Sequence, residues 1–334
     1  MSFFYKTELR IPEEKSVTKY PFPFKAYTKR YEEVEKKQAI PPFYKYFFKN
    51  CLVTFHGVVI FPWVFKLGIL RVNWIVQIKY LILHWFFTKT VKLNSNRKLV
   101  KVRSGYGANY YHWVTEALPV MLDQVKDREV DLMIPPDGNK YYTESLELLN
   151  FRNIVSIEGR YNVWAKEFET FSWNPGIHVH PWMIRNFTEY IRDIVTPANP
   201  PVKKIYVSRQ KAPKRKISNY MEVERLIEES GFRTIYCEEL TFAEQVALFH
   251  SCDIVLGVHG AGLTNIMFMK PGSKVIEFIY EDQSNSLQTH FCRLSDILQH
   301  EYQYLFCKPS GSDDAHLSDI QIDLQQLEQV IQST

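Results

Sequence analysis

The chain has 334 residues, 46% hydrophobic and 23% charged, which suits about two folded domains and excludes a disordered chain. The 41 Lys and Arg against 37 Asp and Glu leave a net charge of +4, too little for a histone-like protein that coats polyanions with its whole surface. The five cysteines (Cys51, Cys237, Cys252, Cys292, Cys307) stand far apart with no C-x-x-C pair, so free thiols in a reducing compartment are expected rather than a zinc knuckle or a disulfide framework.

Residues 1–50 hold 11 basic and 6 acidic side chains, with ten Phe or Tyr between Tyr20 and Phe48. Pro12, Pro21, Pro23, Pro41 and Pro42 punctuate them, which predicts an irregular aromatic and basic arm. Residues 1–20 show no apolar run of the kind a secretory leader carries. The apolar stretch Asn50 to Phe65 contains His56, Gly57 and Pro62 and is shorter than the roughly 20 residues of a spanning helix. From Cys51 to Thr90, aromatic and β-branched residues broken by single charges predict short strands, with alternation best in Arg71–Ile78. The competing reading of residues 1–90 is peripheral contact with the inner face of a membrane, because Trp, Phe, Lys and Arg settle at headgroup level.

Strands and helices alternate from Leu99 onward. The pattern predicts strands at Lys98–Arg103, Val130–Ile134 and Asn153–Ile157, a helix over Tyr110–Lys126 bent near Pro119, and a helix at Glu144–Asn150. Trp182–Val195 reads as a linking helix before the break at Pro197, Pro200 and Pro201. A second series follows. Its strands are Lys204–Ser208, Arg233–Tyr236, Asp253–Gly257 and Lys274–Ile279. Its helices are Glu222–Ser230, ended by Gly231; a helix from the Thr241/Glu244 capping box to His250; Leu263–Met269; Ser286–Gln299; and Asp319–Gln332. Such alternation implies parallel sheets. The expected organisation is an arm over 1–50, an acceptor-side α/β domain over 51–180 and a nucleotide-binding α/β domain over 181–334, with the last helix free to pack back on the first domain.

Four clusters carry candidate chemistry. In the first, the strand ending at Gly257 runs into His259, Gly260, Ala261 and Gly262 and then into a helix. Small residues let a ligand approach the backbone, and the helix start offers free N–H groups to an anion. Neither G-x-G-x-x-G nor a P-loop is matched; the competing reading is a tight turn that needs glycine for geometry alone. In the second, no acid lies between Asp193 and Glu222, while Lys203, Lys204, Arg209, Lys211, Lys214, Arg215 and Lys216 do. Ligands of open α/β sheets sit beyond the carboxyl ends of strands, which places Arg209 beside the glycine turn; the lysines read as a solvated loop. In the third, Glu277 sits in an apolar strand, either as the ligand of a ribose diol or as the partner of a nearby Lys or Arg. In the fourth, His112 and Glu116 are four apart on one helical face, an arrangement that suits a general base, or else merely the polar face of a helix whose Trp113 lies in the core.

No D-x-D triplet occurs, so the usual carboxylate pair for a metal–diphosphate complex is missing, and His178 with His180 makes at most half a zinc site. The string Tyr206-Val-Ser-Arg through Arg215 and Asn219, then His259-Gly-Ala-Gly-Leu-Thr-Asn and Pro271-Gly, resembles glycosyltransferase family 61, as does Asn109-Tyr-Tyr-His-Trp-Val-Thr-Glu-Ala-Leu-Pro. That family includes capsular-polysaccharide enzymes, plant xylosyl- and arabinosyltransferases, and protein O-glycan N-acetylglucosaminyltransferases. The resemblance implies a GT-B-like α/β fold, two facing Rossmann-like domains with a deep cleft, and an inverting glycosyltransferase that needs no metal or other cofactor. It places the donor diphosphate on Arg209, Arg215, Asn219, His259, Gly260, Ala261, Gly262, Leu263, Thr264 and Asn265; Glu277 as ribose ligand is an inference from the fold class. His112, with Glu116, would face the acceptor, and either could be the base. The implied partners are a nucleotide sugar, with UDP favoured, and a glycan or glycolipid acceptor. The expected setting is cytoplasmic, in capsule or surface-glycan synthesis. Two other functions compete: a hydrolysing nucleotide-sugar epimerase, and a protein that binds nucleic acid or anionic lipid through residues 203–216.

Overall fold

A computed structural model of the chain describes residues 4–9, 43–54, 59–61, 82, 88–93, 96–102, 109–134, 138–156, 161–172, 180–280, 290–311 and 318–334. They fall into two units, one ending at Met183 and one running from Ile184 to Thr334.

The first unit is built on an eight-stranded sheet of β1 (Phe4–Leu9), β2 (Phe43–Thr54), β3 (Val59–Phe61), β4 (Thr90–Lys92), β5 (Leu99–Lys101), β6 (Asp131–Ile134), β7 (Ile154–Ser156) and β8 (Asn162–Phe171). Its main order is β1-β2-β8-β5-β6-β7, with β3 paired to β2 and β4 to β8. Within the predicted arm over 1–50, residues 4–9 and 43–50 are strands of this sheet rather than irregular chain; residues 10–42 lie outside the described residues. β2 is antiparallel to both β1 and β8, and it sends Tyr46, Phe48, Cys51 and Val53 into a core with Leu99, Val163 and Phe168. The prolines that suggested an arm lie between β1 and β2 in the sequence, outside the described residues. The alternating segment Arg71–Ile78 also lies outside them.

β8 escaped the sequence reading because charges hide its pattern. Its Glu169 is buried, and the chain pays for that burial with two lysines, Lys45 at 2.9 Å and Lys98 at 3.3 Å.

The second unit holds β9 (Lys204–Val207), β10 (Arg233–Ile235), β11 (Ile254–Val258), β12 (Lys274–Tyr280), β13 (Glu301–Ser310) and β14 (Asp319–Gln321), in the order β10-β9-β11-β12-β13-β14. All pairs are parallel except β13 with β14. The helix Tyr220–Glu229 gives way to Gly231 at φ 81°, and the capping box of Thr241 and Glu244 starts the helix Phe242–His250.

Three expectations change here. Leu263–Met269 is not an α-helix but part of a 3-10 helix, Ala261–Phe268. Asp319–Gln332 divides into β14 and the helix Leu324–Gln332, which Asp323 caps by accepting from the Gln325 and Gln326 amides. That last helix buries Leu327 and Ile331 in the second unit's own core, with Tyr206, Val223, Leu256 and Ile276.

Both sheets have a point where the strand order reverses. From β9 the chain goes to β10 on one side and then to β11 on the other; from β5 it goes to β6 and β7 on one side and later to β8 on the other. At such points the connections leave in opposite directions and open a crevice outside the carboxyl ends of the strands. No helix among the described residues is long and apolar enough to cross a membrane.

Candidate functional site

The reversal in the second sheet lies between β9 and β11, where Val207 and Gly257 are register partners. Arg209 follows the end of β9; His259 and Gly260 follow the end of β11. The glycines are there for space. A Cβ on Gly260 would land on the Arg209 guanidinium, and one on Gly262 would come within 2.9 Å of Val207 Cγ1. A Cβ on Gly257 would press against Leu263 at 3.0 Å. The φ of Gly260 is extended, so close approach and not backbone freedom selects glycine there.

Arg209 is half-buried, and its Nη2 donates to the Lys214 carbonyl at 3.2 Å. Its Nε is buried with no hydrogen-bond partner, and among the described residues no acid lies within ion-pair distance of it. Burial, and next the neighbouring Arg215, push its guanidinium down to about 10 against the pull of Glu238, so it stays charged at neutral pH. Arg215 holds a left-handed backbone conformation, φ 61°, uncommon for a residue with a side chain. Two neighbouring guanidiniums, one with a buried unsatisfied N–H, are suited to an anion with several oxygens. Lys211, by contrast, is neutralised by Glu239 and lies over the Tyr236 ring.

The remaining residues of the predicted nucleotide set take different positions. Ala261 and Gly262 are half-buried at the start of the 3-10 helix. Leu263, Thr264 and Asn265 point into the core; the Asn265 amide donates to Gln245 Oε1 at 2.7 Å and to the Gly262 carbonyl at 3.1 Å, which ties the turn down from beneath. At the far end of the same helix, His300 Nε2 donates to the Ile266 carbonyl and Arg192 to that of Met269. The side chains of these three residues anchor the turn.

Asn219 clasps the segment between β14 and the helix that follows it. Its amide nitrogen donates to the Ile322 carbonyl at 2.8 Å and its oxygen accepts from the Ile322 N–H at 3.0 Å, which leaves one N–H and one lone pair of the amide uncommitted by these bonds. Asn219→Ala should lower stability by about 1–3 kcal/mol, the cost of stranding buried polar groups, as read by urea denaturation.

Glu277 has protein partners at both of its oxygens. It is fully buried, His259 Nδ1–H donates to one of its oxygens, and Tyr302 O–H donates to the other at 2.6 Å. The expected Lys or Arg partner is replaced by His259. Tyr302 went unnoticed because β13 did.

A second His–Glu pair stands in the first unit. After β5, Asn109 caps the helix Tyr110–His112 by accepting from the Tyr111 amide at 2.9 Å. The helix then widens into a π turn, Trp113–Ala117, and continues as Leu118–Gln124. The predicted bend near Pro119 takes this form because Pro119 lacks an N–H and its ring would crowd the Thr115 carbonyl of a regular helix. Along this turn His112 Nδ1–H donates to Glu116 Oε1 at 2.6 Å, with the Glu116 side chain 1% exposed and that of His112 14%. Trp113 is fixed in the core by its bond to Ser145 Oγ at 2.9 Å.

His178 lies outside the described residues. Burial pushes His180 down to about 4, beside the edge of Phe43. Among the described residues no three His, Cys, Asp or Glu side chains gather as a metal site. All five cysteines are buried and unpaired, and burial raises Cys51, Cys237, Cys252 and Cys307 to about 12, which makes them inert.

Over 213 residues the chain is 24% identical to the β-1,2-xylosyltransferase XAX1 of Oryza sativa subsp. japonica, 56% of this chain and 38% of that one. It is 29% identical over 122 residues to an EGF domain-specific O-linked N-acetylglucosamine transferase of Drosophila melanogaster, 34% of this chain and 23% of the relative. The protein of the same name in Gallus gallus is 37% identical over 60 residues, 18% of this chain and 11% of its own length. The chain thus covers well under half of each of these relatives. The Glycosyltransferase 61 family matches residues 110–276, from the helix that carries His112 into β12. With half of its length matched, both His–Glu elements included or adjoined, the chain belongs to the Glycosyltransferase 61 family.

Proposed function

We propose that the chain is an inverting glycosyltransferase that moves a sugar from a nucleotide-sugar donor, a UDP-sugar in the first instance, to a hydroxyl of a glycan acceptor in surface-polysaccharide or glycoconjugate synthesis. The observation that carries this reading is the Arg209 guanidinium, held against Gly260 at the order reversal with a buried N–H unsatisfied and Arg215 beside it. Family membership supports glycosyl transfer, and the names of the relatives, a xylosyltransferase and N-acetylglucosamine transferases, agree with it.

On this reading the two units are the halves of a GT-B enzyme, each supplying one His–Glu pair. An acceptor hydroxyl attacks the anomeric carbon from the face opposite the diphosphate, and the sugar inverts. Glu116 accepts the His112 Nδ1–H, which fixes the tautomer and makes Nε2 the proton acceptor, so His112 is the base and Glu116 its orienting partner. The electron pair of the breaking bond goes to the diphosphate, whose growing charge falls to Arg209 and Arg215. The missing D-x-D triplet supports a reaction without a divalent cation.

A thermal-shift screen in EDTA against UDP, GDP, CMP and their sugars tests this. At 100 times its Kd the bound nucleotide should add about 2.7 kcal/mol of stability. Absence of any nucleotide effect overturns the reading. A response only with a divalent ion overturns its metal-independent part, and donor breakdown without acceptor replaces transfer by epimerase-type chemistry.

A further inference from the structure

We propose that Glu277 and Tyr302 are positioning residues for His259, and that this trio takes up one proton from solvent when a diphosphate binds; the inference rests on the donor-site reading above. Glu277 sits on β12, opposite Gly257 of β11 and Tyr304 of β13, and is 0% exposed. A carboxylate in such a place is costly unless its oxygens are hydrogen-bonded. Its two oxygens have donors, His259 Nδ1–H and Tyr302 O–H, and among the described residues His259 is the one basic side chain at ion-pair distance.

The geometry of imidazole does the rest. With Nδ1–H committed to Glu277, Nε2 lies on the opposite side of a ring that is 15% exposed, and it makes no hydrogen bond among the described residues. His259 is also the residue before Gly260, whose backbone lies under Arg209. A bare Nε2 lone pair is the wrong partner for a phosphate oxygen, and a protonated one is the right partner. In the empty site a third cation would add to the repulsion that Arg215 already exerts on Arg209. A bound diphosphate removes that repulsion, and the buried Glu277 charge stabilises the imidazolium from behind. One proton goes from solvent to Nε2, and no covalent bond between heavy atoms changes.

The other groups around the ring do not compete for this role. From the helix His290–Ile297, Phe291 packs at 5.2 Å and His290 at 6.3 Å between ring centroids. Cys292 on the same helix is pushed up by burial, then by the charges of Glu277 and Asp296, so it stays a thiol. From β13 come Tyr302, the donor to Glu277, and Tyr304, which burial and then Cys292 push up to about 12. From the loop after β9 comes Arg209, which lies against Gly260 and stays charged.

The test is calorimetry with UDP and with GDP at pH 8, where the terminal phosphate of each, of second pKa about 6, is ionised. Binding is measured in two buffers of different ionisation enthalpy, which yields the protons taken up. The expected result is net proton uptake by the wild type, none by His259→Ala, and none by Glu277→Gln. The glutamine keeps an acceptor for Nδ1–H but lacks the charge, and it should weaken binding roughly tenfold or more. Tyr302→Phe should retain proton uptake with a smaller loss of affinity. In the His259→Ala background Glu277→Gln should have no further effect on affinity, as for residues that act through one another. Binding without proton uptake, uptake that survives His259→Ala or Glu277→Gln, or additive losses in the double variant overturns the trio and leaves the donor site standing. No binding of either probe by the wild type overturns both. The wild-type and His259→Ala measurements decide the matter even if Glu277→Gln does not fold.

Discussion

Arg209→Ala should leave the fold intact and lower affinity for UDP by roughly 100- to 1000-fold, the scale on which preorganised donors to a developing oxyanion count. The fold needs little from this side chain. Among the described residues it makes one hydrogen bond, 3.2 Å to the Lys214 carbonyl, and its removal relieves the like charge of Arg215. A diphosphate needs much more from it, because the guanidinium is already out of water and already placed, and its Nε–H has no other partner to give up. Arg209→Lys should recover part of the affinity, since a lysine restores the charge but not the planar fork. Gly260→Ala should weaken binding by the same route, because its methyl group occupies the place of the guanidinium. Calorimetry measures all three and thermal denaturation checks folding. Unchanged UDP affinity in Arg209→Ala would remove the second unit's crevice from the donor.

What could be read from the sequence was what depends on near neighbours. The strands β9 to β12, the capping box at Thr241 and Glu244, and the stop at Gly231 are local signals, and the structure has them with ends shifted by a residue or two. The glycine turn was legible as a close approach, but the residue approaching it, Arg209, lies 51 positions earlier and arrives through the parallel pairing of β9 with β11. Partners set by distant pairing were not legible. Glu277 stood out as a charge in an apolar run, yet its partners come from the ends of two neighbouring strands, His259 after β11 and Tyr302 on β13. β13 itself, with Glu301, Gln303, Lys308 and Pro309 among its ten residues, shows no clean alternation. Asn219 matched a motif, but its bonds to Ile322, which make it a clasp between distant segments, span 103 positions. In the first unit the prolines outweighed the aromatic residues of β2, although they lie outside that strand.

His112→Ala should lower kcat by about 100- to 10,000-fold, the usual contribution of a positioned base, while UDP affinity stays as in the wild type. The Glu116 side chain, 1% exposed on a helix, is held there by a partner, and His112 Nδ1–H at 2.6 Å is that partner. The π turn from Trp113 to Ala117 is the backbone on which the two face each other, and Trp113, bonded to Ser145, keeps that backbone in register with the core. Such single wide turns are often found at functional sites, since a regular helix would not sacrifice its hydrogen bonding without cause. Here Pro119 supplies the cause, and the His–Glu pair is what the turn accommodates. Glu116→Gln should therefore lower kcat as well, with KM for the donor nearly unchanged, because a neutral amide no longer stabilises the imidazolium that forms as the hydroxyl gives up its proton. Steady-state kinetics and UDP calorimetry on the two variants separate the possibilities. Equal losses in turnover and in UDP affinity would make His112 part of the donor site, and unchanged turnover would place the base elsewhere. A loss confined to kcat in both variants ties the carboxylate to the histidine, as the hydrogen bond between them does in the structure.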